Sequence, residues 1–402
     1  RLGTEVKYNF VFYHQLPFDW DELIESSIPA VLATQDIYEY CRELEKICAR
    51  LSDGHTGITY SHLSRSSEKI ATPPFTTRLF NNKVHIDNIY NDLLSDMGME
   101  KGMEMVKING MDVHEYINAY VRPYICSSTP QWTDYVIFNK NELSRGKITD
   151  TLVIELKGTN DEPLEMKIDR GMAWKKKDTS IFDFNLLEGN IGHLKISTFR
   201  NNYSNQQFRE QFDKIYEEIL QTDALVIDIR NNSGGNSANG DYILGHLTDE
   251  PVATGGKMGS RIYIPYFASM EREEQWYDEK EFTAPSIADK KIYKKPVVVL
   301  INGGTISAAE NFCITFRSMK RGSLIGTPTA GSTGNPITVP LIKGIADVRI
   351  CPETWLELNG KEFIGIGIIP DIRIRDTFND FLANRDITLE EGLLRLKIAN
   401  RN

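Results

Sequence analysis

Apolar residues recur at helical spacing from Asp19 to Leu51, first at Leu23, Ile24, Ile28, Val31 and Leu32 and then at Ile37, Cys41, Leu44, Ile47, Cys48 and Leu51. Steps of three and four place them on one helix face, which predicts a helical N-terminal cap. Ser52-Asp53-Gly54 breaks the pattern and ends it. From about Ala71 to Arg170 the period falls to two. Lys83–Ile89 and Gly102–Ile108 read as strands, the second closed by an Asn109-Gly110 turn, and Thr151–Lys157 pairs with Leu164–Ile168 across Gly158-Thr159-Asn160-Asp161. From about Ser180 the pattern changes again. Ile191–Ile196, Ala224–Ile229 and Val297–Ile301 are continuous apolar runs, separated by helical patterns over Asn205–Leu220, Ser237–Leu247 and Ser307–Ser318. Apolar strands joined by helical crossovers predict a mainly parallel sheet covered on both faces.

With 402 residues the chain exceeds one ordinary core, so two or three packed units are expected: a cap over 1–70, a β-rich domain over 71–170 and an α/β core over 171–402. A hydrophobic share of 41% with 25% charged residues is that of a globular protein, and no apolar run approaches the roughly 20 residues of a membrane helix. The formal charge of −10, without a basic stripe interleaved with aromatics, argues against nucleic acid as a partner. The five cysteines lack the spacing that holds zinc and read as small buried apolar residues. No cluster implies a metal or an organic cofactor. The chain opens at Arg1 without Met or a signal-peptide pattern, which suggests a trimmed chain in which a targeting segment cannot be read.

Three segments carry candidate chemistry. In Lys295–Phe312 a buried strand passes through Gly303-Gly304 into a helix whose first turn holds Ser307. A hydroxyl there sits among unpaired backbone N–H groups that can bond an oxyanion. A plain N-cap is the alternative, because Ser307 and Glu310 also form a capping box. In Ala224–Asn236 a second buried strand leads into Gly234-Gly235, whose backbone can approach a ligand closely. Gly234 or Gly235 would supply one N–H of an oxyanion hole and Ala308 the other. In Leu51–Gly57, His55 stands between two turn glycines, a setting shared by none of the other six histidines. A serine nucleophile needs such a base.

Taken together and in this order, Asp53-Gly54-His55-Thr56-Gly57, Lys101–Gly110, Leu225–Gly235, Asn302–Glu310 and Gly365–Ile372 resemble the serine peptidase family that contains the C-terminal processing peptidases and the tricorn core protease, over about Asp19 to Ile372. The resemblance implies a ClpP/crotonase-like α/β core, an inserted PDZ-like domain interrupted by an insertion at about 116–149, and a serine endopeptidase with Ser307 as nucleophile. The processing-peptidase branch uses a lysine base in the loop that here reads Thr329-Ala-Gly-Ser332-Thr-Gly-Asn335, and Ser332 stands in its place. The tricorn-like branch pairs serine with a histidine, matched by His55, and a glutamate. The family position of that glutamate is Ile364 here; Glu362, two residues earlier, shares its face if the segment is an extended strand, with Asp371 and Asp53 as alternatives. The implied partner is a peptide or unfolded protein whose C-terminal tail docks on the PDZ-like domain, where the insertion with Trp132, Tyr135 and Phe138 separates the strands and forms an extra helix or occludes the groove. A carrier that keeps the fold without turnover, binding a peptide or apolar ligand, is the second class. The resemblance places the protein in a bacterial cell envelope or outside the cell.

Overall fold

The computed structural model describes residues 1–60, 70–158, 162–175, 180–200, 204–270, 272, 275–278, 282–284 and 291–399. Residues 159–161, assigned above to a hairpin turn, lie outside them. The chain divides into two compact units: the first holds residues 1–178, 336–351 and 377–383, the second 179–335, 352–376 and 384–402.

In the first unit the run from Asp19 to Leu51 is two helices, Trp20–Leu32 and Ile37–Ala49. Asp19 and Asp36 each cap one, accepting from the backbone N–H of Glu22 at 3.0 Å and Glu39 at 2.8 Å. Asp36 is what divides the pattern: its side chain offers the backbone a fresh start. Trp20, Leu44, Ile47 and Cys48 bury against Val6, Phe10, Val348 and Ile350, while Leu32 is 79% exposed. The β-rich part is an antiparallel sheet in the order Phe75–Phe80, Lys83–Ile89, Glu104–Ile108, Thr151–Lys157, Pro163–Asp169, with Met111–Asp112 folding back on Glu104–Ile108. Its tight turns are Asn81-Asn82 and Asn109-Gly110, all four at positive φ as a two-residue hairpin requires. Residues 116–144 fold as short helices that bury Ile117, Val121, Ile137, Phe138 and Leu143 against this sheet, and Gly146–Lys147 pairs with Ile70–Ala71. Helix Phe378–Leu382 packs Phe378 edge-on and Phe381 tilted against Phe80, with ring centroids 5.8 and 5.0 Å apart. A separate three-stranded sheet pairs Gly57–Thr59 with Ala346–Ile350, and the latter with Ile337–Ile342.

The second unit is built on a six-stranded sheet in the order Phe182–Leu187, Ile191–Ile196, Ala224–Asp228, Val297–Ile301, Gly322–Gly326, Ile372–Arg373. All neighbours are parallel except the first pair. Its two central strands, Ala224–Asp228 and Val297–Ile301, are buried along their whole length and apolar up to Asp228, because both faces are covered. Leu225, Ile227, Val297, Val299 and Ile301 pack with Phe208, Phe212 and Phe312 of helices Asn205–Ile219 and Ala308–Met319. On the opposite face Ala224, Val226, Val298 and Leu300 pack with Leu389, Leu393 and Leu396 of helix Ile387–Ala399. All five cysteines are free thiols. Among the described residues no helix is long and apolar enough to cross a membrane, and no group of His, Cys, Asp or Glu side chains could hold a metal.

Arg230 ties the end of the central strand to the start of that last helix. Its guanidinium donates to Asp228 at 2.9 and 2.6 Å and to Asp386 at 2.8 and 2.7 Å, and Asp386 Oδ1 accepts from the Leu389 N–H at 3.0 Å. Burial opposes the charge on Asp228, but bonds from His193 and Arg230 outweigh it and hold the carboxyl well below the usual range. This stabilisation is present above the ordinary Asp pKa of about 4 and is lost as pH falls below it. Arg230→Gln strands a buried carboxylate and is expected to lower the unfolding free energy by about 3–5 kcal/mol in urea titration. A loss below about 1 kcal/mol would contradict this reading of the pair.

Candidate active site

The turn after strand Val297–Ile301 is fixed by short hydrogen bonds. Asn302 N–H donates to Thr305 Oγ1 at 3.1 Å, Thr305 Oγ1 donates to the Ile229 carbonyl at 2.9 Å, and Ile306 N–H reaches the Asn232 carbonyl at 3.1 Å. These set the backbone of Ser307 at φ 64°, ψ −126°. An N-cap residue ordinarily lies in the β region, and positive φ is costly for a residue with a Cβ. Ser307 therefore does more than cap helix Ala308–Met319. Such a conformation persists only where its surroundings over-determine it, and here Ser307 N–H is shared between the Ser332 carbonyl at 3.0 Å and Glu310 Oε2 at 3.1 Å.

Glu310 is fully buried. Besides Ser307 N–H its carboxyl accepts from Thr329 Oγ1 at 2.5 Å, Gly331 N–H at 2.7 Å and Ser332 N–H at 3.0 Å. Burial pushes its acid form up to about 7, against the opposing pull of these donors. Thr329 Oγ1 accepts in turn from Ile368 N–H at 2.7 Å, and Gly365 N–H donates to the Gly331 carbonyl at 2.9 Å. One carboxyl thus joins the serine turn, the 329–332 loop and, through Thr329, the segment Gly365–Ile368. Sequence reasoning treated Glu310 only as half of a capping box; its partners twenty residues away carry no local signal.

Gly234 and Gly235 lie beside that turn at φ 73° and 140°. A Cβ on Gly234 would stand 2.7 Å from both the Ile306 carbonyl oxygen and Ser307 Cβ, and one on Gly235 would stand 2.3 Å from Arg200 N. Only glycine fits at either place. The Gly234 N–H is committed to Asn232 Oδ1 at 2.9 Å. Gly235, Ser307 and Ala308 line one cavity of about 270 Å³ together with Ser237, Asp241, Asn311 and Trp355. Ala308 opens the helix, so its N–H has no partner within it.

His55 belongs to the first unit, where it is buried and borders a cavity of about 210 Å³ with Tyr124, Cys126 and Arg349. Its turn is held by Thr56 Oγ1, which donates to Asp53 Oδ2 at 2.7 Å and accepts from Cys351 N–H at 3.0 Å. Gly54 N–H donates to Ser128 Oγ at 3.0 Å. Asp53 is thereby engaged in the turn itself. Asp371 is engaged too, its Oδ2 accepting from Leu324 N–H at 2.8 Å at the sheet edge.

The extended strand expected at Glu362 is not formed. Phe363–Gly367 is a turn in which the N–H groups of Ile366 and Gly367 both donate to the Phe363 carbonyl, at 3.0 and 2.7 Å. Glu362 is exposed, Phe363 fully buried and Ile364 half-buried, so the shared-face argument for Glu362 is corrected. Glycines at 365 and 367, both at positive φ, turn the chain where alternation suggested a strand.

Glu310→Gln places an amide donor against N–H groups that need an acceptor. It is expected to cost about 2–3 kcal/mol in urea titration and to speed amide exchange at Gly331 and Ser332. Unchanged exchange at both amides would show that the carboxyl does not hold the loop.

The profile of peptidase family S41 matches residues 190–374, the span that holds Ser307 and Gly234-Gly235. Curated relatives include a carboxy-terminal-processing protease of Bartonella bacilliformis, 28% identical over 250 residues, covering 61% of this chain and 51% of that protein. The carboxy-terminal processing protease CtpB of Bacillus subtilis is 23% identical over 322 residues, covering 77% and 60%. The chain thus spans about half to three fifths of the length of these relatives. Among solved structures, mature CPAF complexed with lactacystin aligns over 100% of this chain and 98% of its own with a TM-score of 0.73 at 14% identity. The photosystem II D1 C-terminal processing protease aligns over 92% and 91% with a TM-score of 0.52 at 18% identity. At such identities these structures attest a common fold. The match over residues 190–374, which contain the Ser307 turn, makes that part of the chain similar to peptidase family S41.

Proposed function

We propose that the chain is a serine peptidase that cleaves peptide or unfolded-protein substrates through an acyl-enzyme on Ser307. The observation that carries this reading is the Ser307 turn: a serine at positive φ, on a helix N-terminus, lining a cavity with a glycine loop. In the proposed step Ser307 Oγ bonds to the scissile carbonyl carbon while His55 takes the hydroxyl proton. The oxygen that becomes negative is held by the N–H groups of Ala308 and Gly235; Gly234, whose N–H is already used, contributes by allowing the close approach. The imidazolium gives its proton to the leaving amine as the C–N bond breaks, and water then releases the acyl group.

The curated relatives named for carboxy-terminal processing favour a substrate presented by its C-terminal tail. The antiparallel sheet of the first unit is the proposed PDZ-like docking domain, which would take the tail by strand addition. Glu362 enters the proposal as the carboxylate that orients His55. Its variant Glu362→Gln is expected to lower turnover by about 10²-fold or more if it acts so, and full activity in that variant removes it from the mechanism.

Ser307→Ala is expected to abolish hydrolysis of a cleavable peptide and labelling by a fluorophosphonate, with thermal unfolding unchanged. His55→Ala should lower both rates by about 10³-fold. Labelling that persists in Ser307→Ala, or a wild-type protein that neither labels nor hydrolyses, would overturn the peptidase reading in favour of a carrier of the same fold.

A further inference from the structure

The cavity beside Ser307 has an uneven chemistry. Its lining holds one charged residue among the described ones, Asp241, and no lysine or arginine. Asp241 lies on helix Ser237–Leu244 and is partly buried, and no hydrogen bond or ion pair from the described residues reaches its carboxyl. Asn311, on the facing helix, donates through Nδ2 to Ser237 Oγ at 3.2 Å and leaves its Oδ1 as a buried acceptor without a donor among the described residues. The indole of Trp355 and the backbone of Gly255 close another side, where a Cβ on Gly255 would meet the indole at 3.4 Å. Protein interiors seldom leave a carboxylate without a donor or a counter-charge. Where one borders a cavity, the missing partner belongs to whatever fills it.

What fills it follows from its neighbours. A substrate carbonyl at Ser307, with its oxygen toward Ala308 and Gly235, directs the side chain of the same residue into the space those three residues line. At about 270 Å³ that space is at the lower end of ligand sites and suits one side chain. We infer that this cavity is a specificity pocket for a cationic side chain, arginine or lysine, on the acyl side of the scissile bond, with Asp241 as its counter-charge. The inference rests on the peptidase reading of Ser307. The long apolar stem of such a side chain lies against the indole of Trp355, and the charged head meets the acceptor-rich end at Asp241 and Asn311. Burial alone pushes the Asp241 carboxyl up to about 7, as expected for an acid whose anion has no donor until a cation arrives. A neutral apolar side chain would leave that carboxyl uncompensated, so discrimination is by charge more than by size.

The test uses two peptides that differ only at the residue donating the scissile carbonyl, arginine in one and citrulline in the other, together with the matching peptidyl phosphonates as labels. Citrulline keeps the shape and removes the charge. The wild-type chain is expected to favour arginine by at least about tenfold in kcat/KM and in the rate of Ser307 labelling. In Asp241→Asn both ratios should fall to within about twofold of one. A wild-type ratio near one, with both probes reacting at Ser307, overturns the pocket assignment and leaves the peptidase reading standing. An unchanged ratio in Asp241→Asn overturns the role of Asp241. If neither phosphonate labels Ser307, the peptidase reading falls and the pocket assignment with it.

Discussion

The second unit's site depends on one buried carboxyl. Glu310 sits where water cannot solvate it, and four donors from two segments of chain converge on it instead. In a low-dielectric interior each such bond is strong, and each would be expensive to leave unmade. The strain at Ser307 is therefore held by an interaction that cannot relax without exposing four polar groups to a dry environment. A serine on an exposed N-cap would drift back to the β region; this one has nowhere to go.

The sheet supplies the other half of the arrangement. Strands Ala224–Asp228 and Val297–Ile301 are parallel neighbours, so the loops at their carboxyl ends emerge side by side. That is where open α/β sheets bind ligands. One loop brings Gly234 and Gly235, the other Ser307 and Ala308. The second loop is pinned to the first through Ile306 N–H on the Asn232 carbonyl and Thr305 Oγ1 on the Ile229 carbonyl. Arg230, between Asp228 and Asp386, anchors the first loop to a helix on the opposite face of the sheet. A small bend in the sheet thus shifts both glycines and the serine together rather than one against the other.

The local rules made the sheet and its helices legible. Val297–Ile301 and Ala224–Asp228 read as strands because no polar residue interrupts them before Asp228, and Asn109-Gly110 read as a turn because it needs two left-handed residues. Ser307 was legible as a candidate but not as a strained residue, since φ is decided by contacts with Ser332 and Glu310. The limits were partly local and partly long-range. Asp36 split an apparently continuous helical pattern, and helix Ile387–Ala399 was passed over although Leu389, Leu393 and Leu396 cover a whole sheet face. The extended strand expected at Glu362 gave way to a turn because glycines at positive φ at 365 and 367 override alternation. That 336–351 and 377–383 pack with the first unit depends on partners such as Val348 with Phe10 and Phe378 with Phe80, which no periodicity records.

The central claim, that the turn held by Glu310 presents a nucleophile to a preformed oxyanion site, is tested most directly by a crystal structure of the chain inactivated with a peptidyl phosphonate. The expected result is a bond from phosphorus to Ser307 Oγ, with a phosphonyl oxygen about 2.7–3.1 Å from the backbone nitrogens of Ala308 and Gly235. Phosphorus bonded to another residue, or a phosphonyl oxygen turned away from both nitrogens, would contradict it.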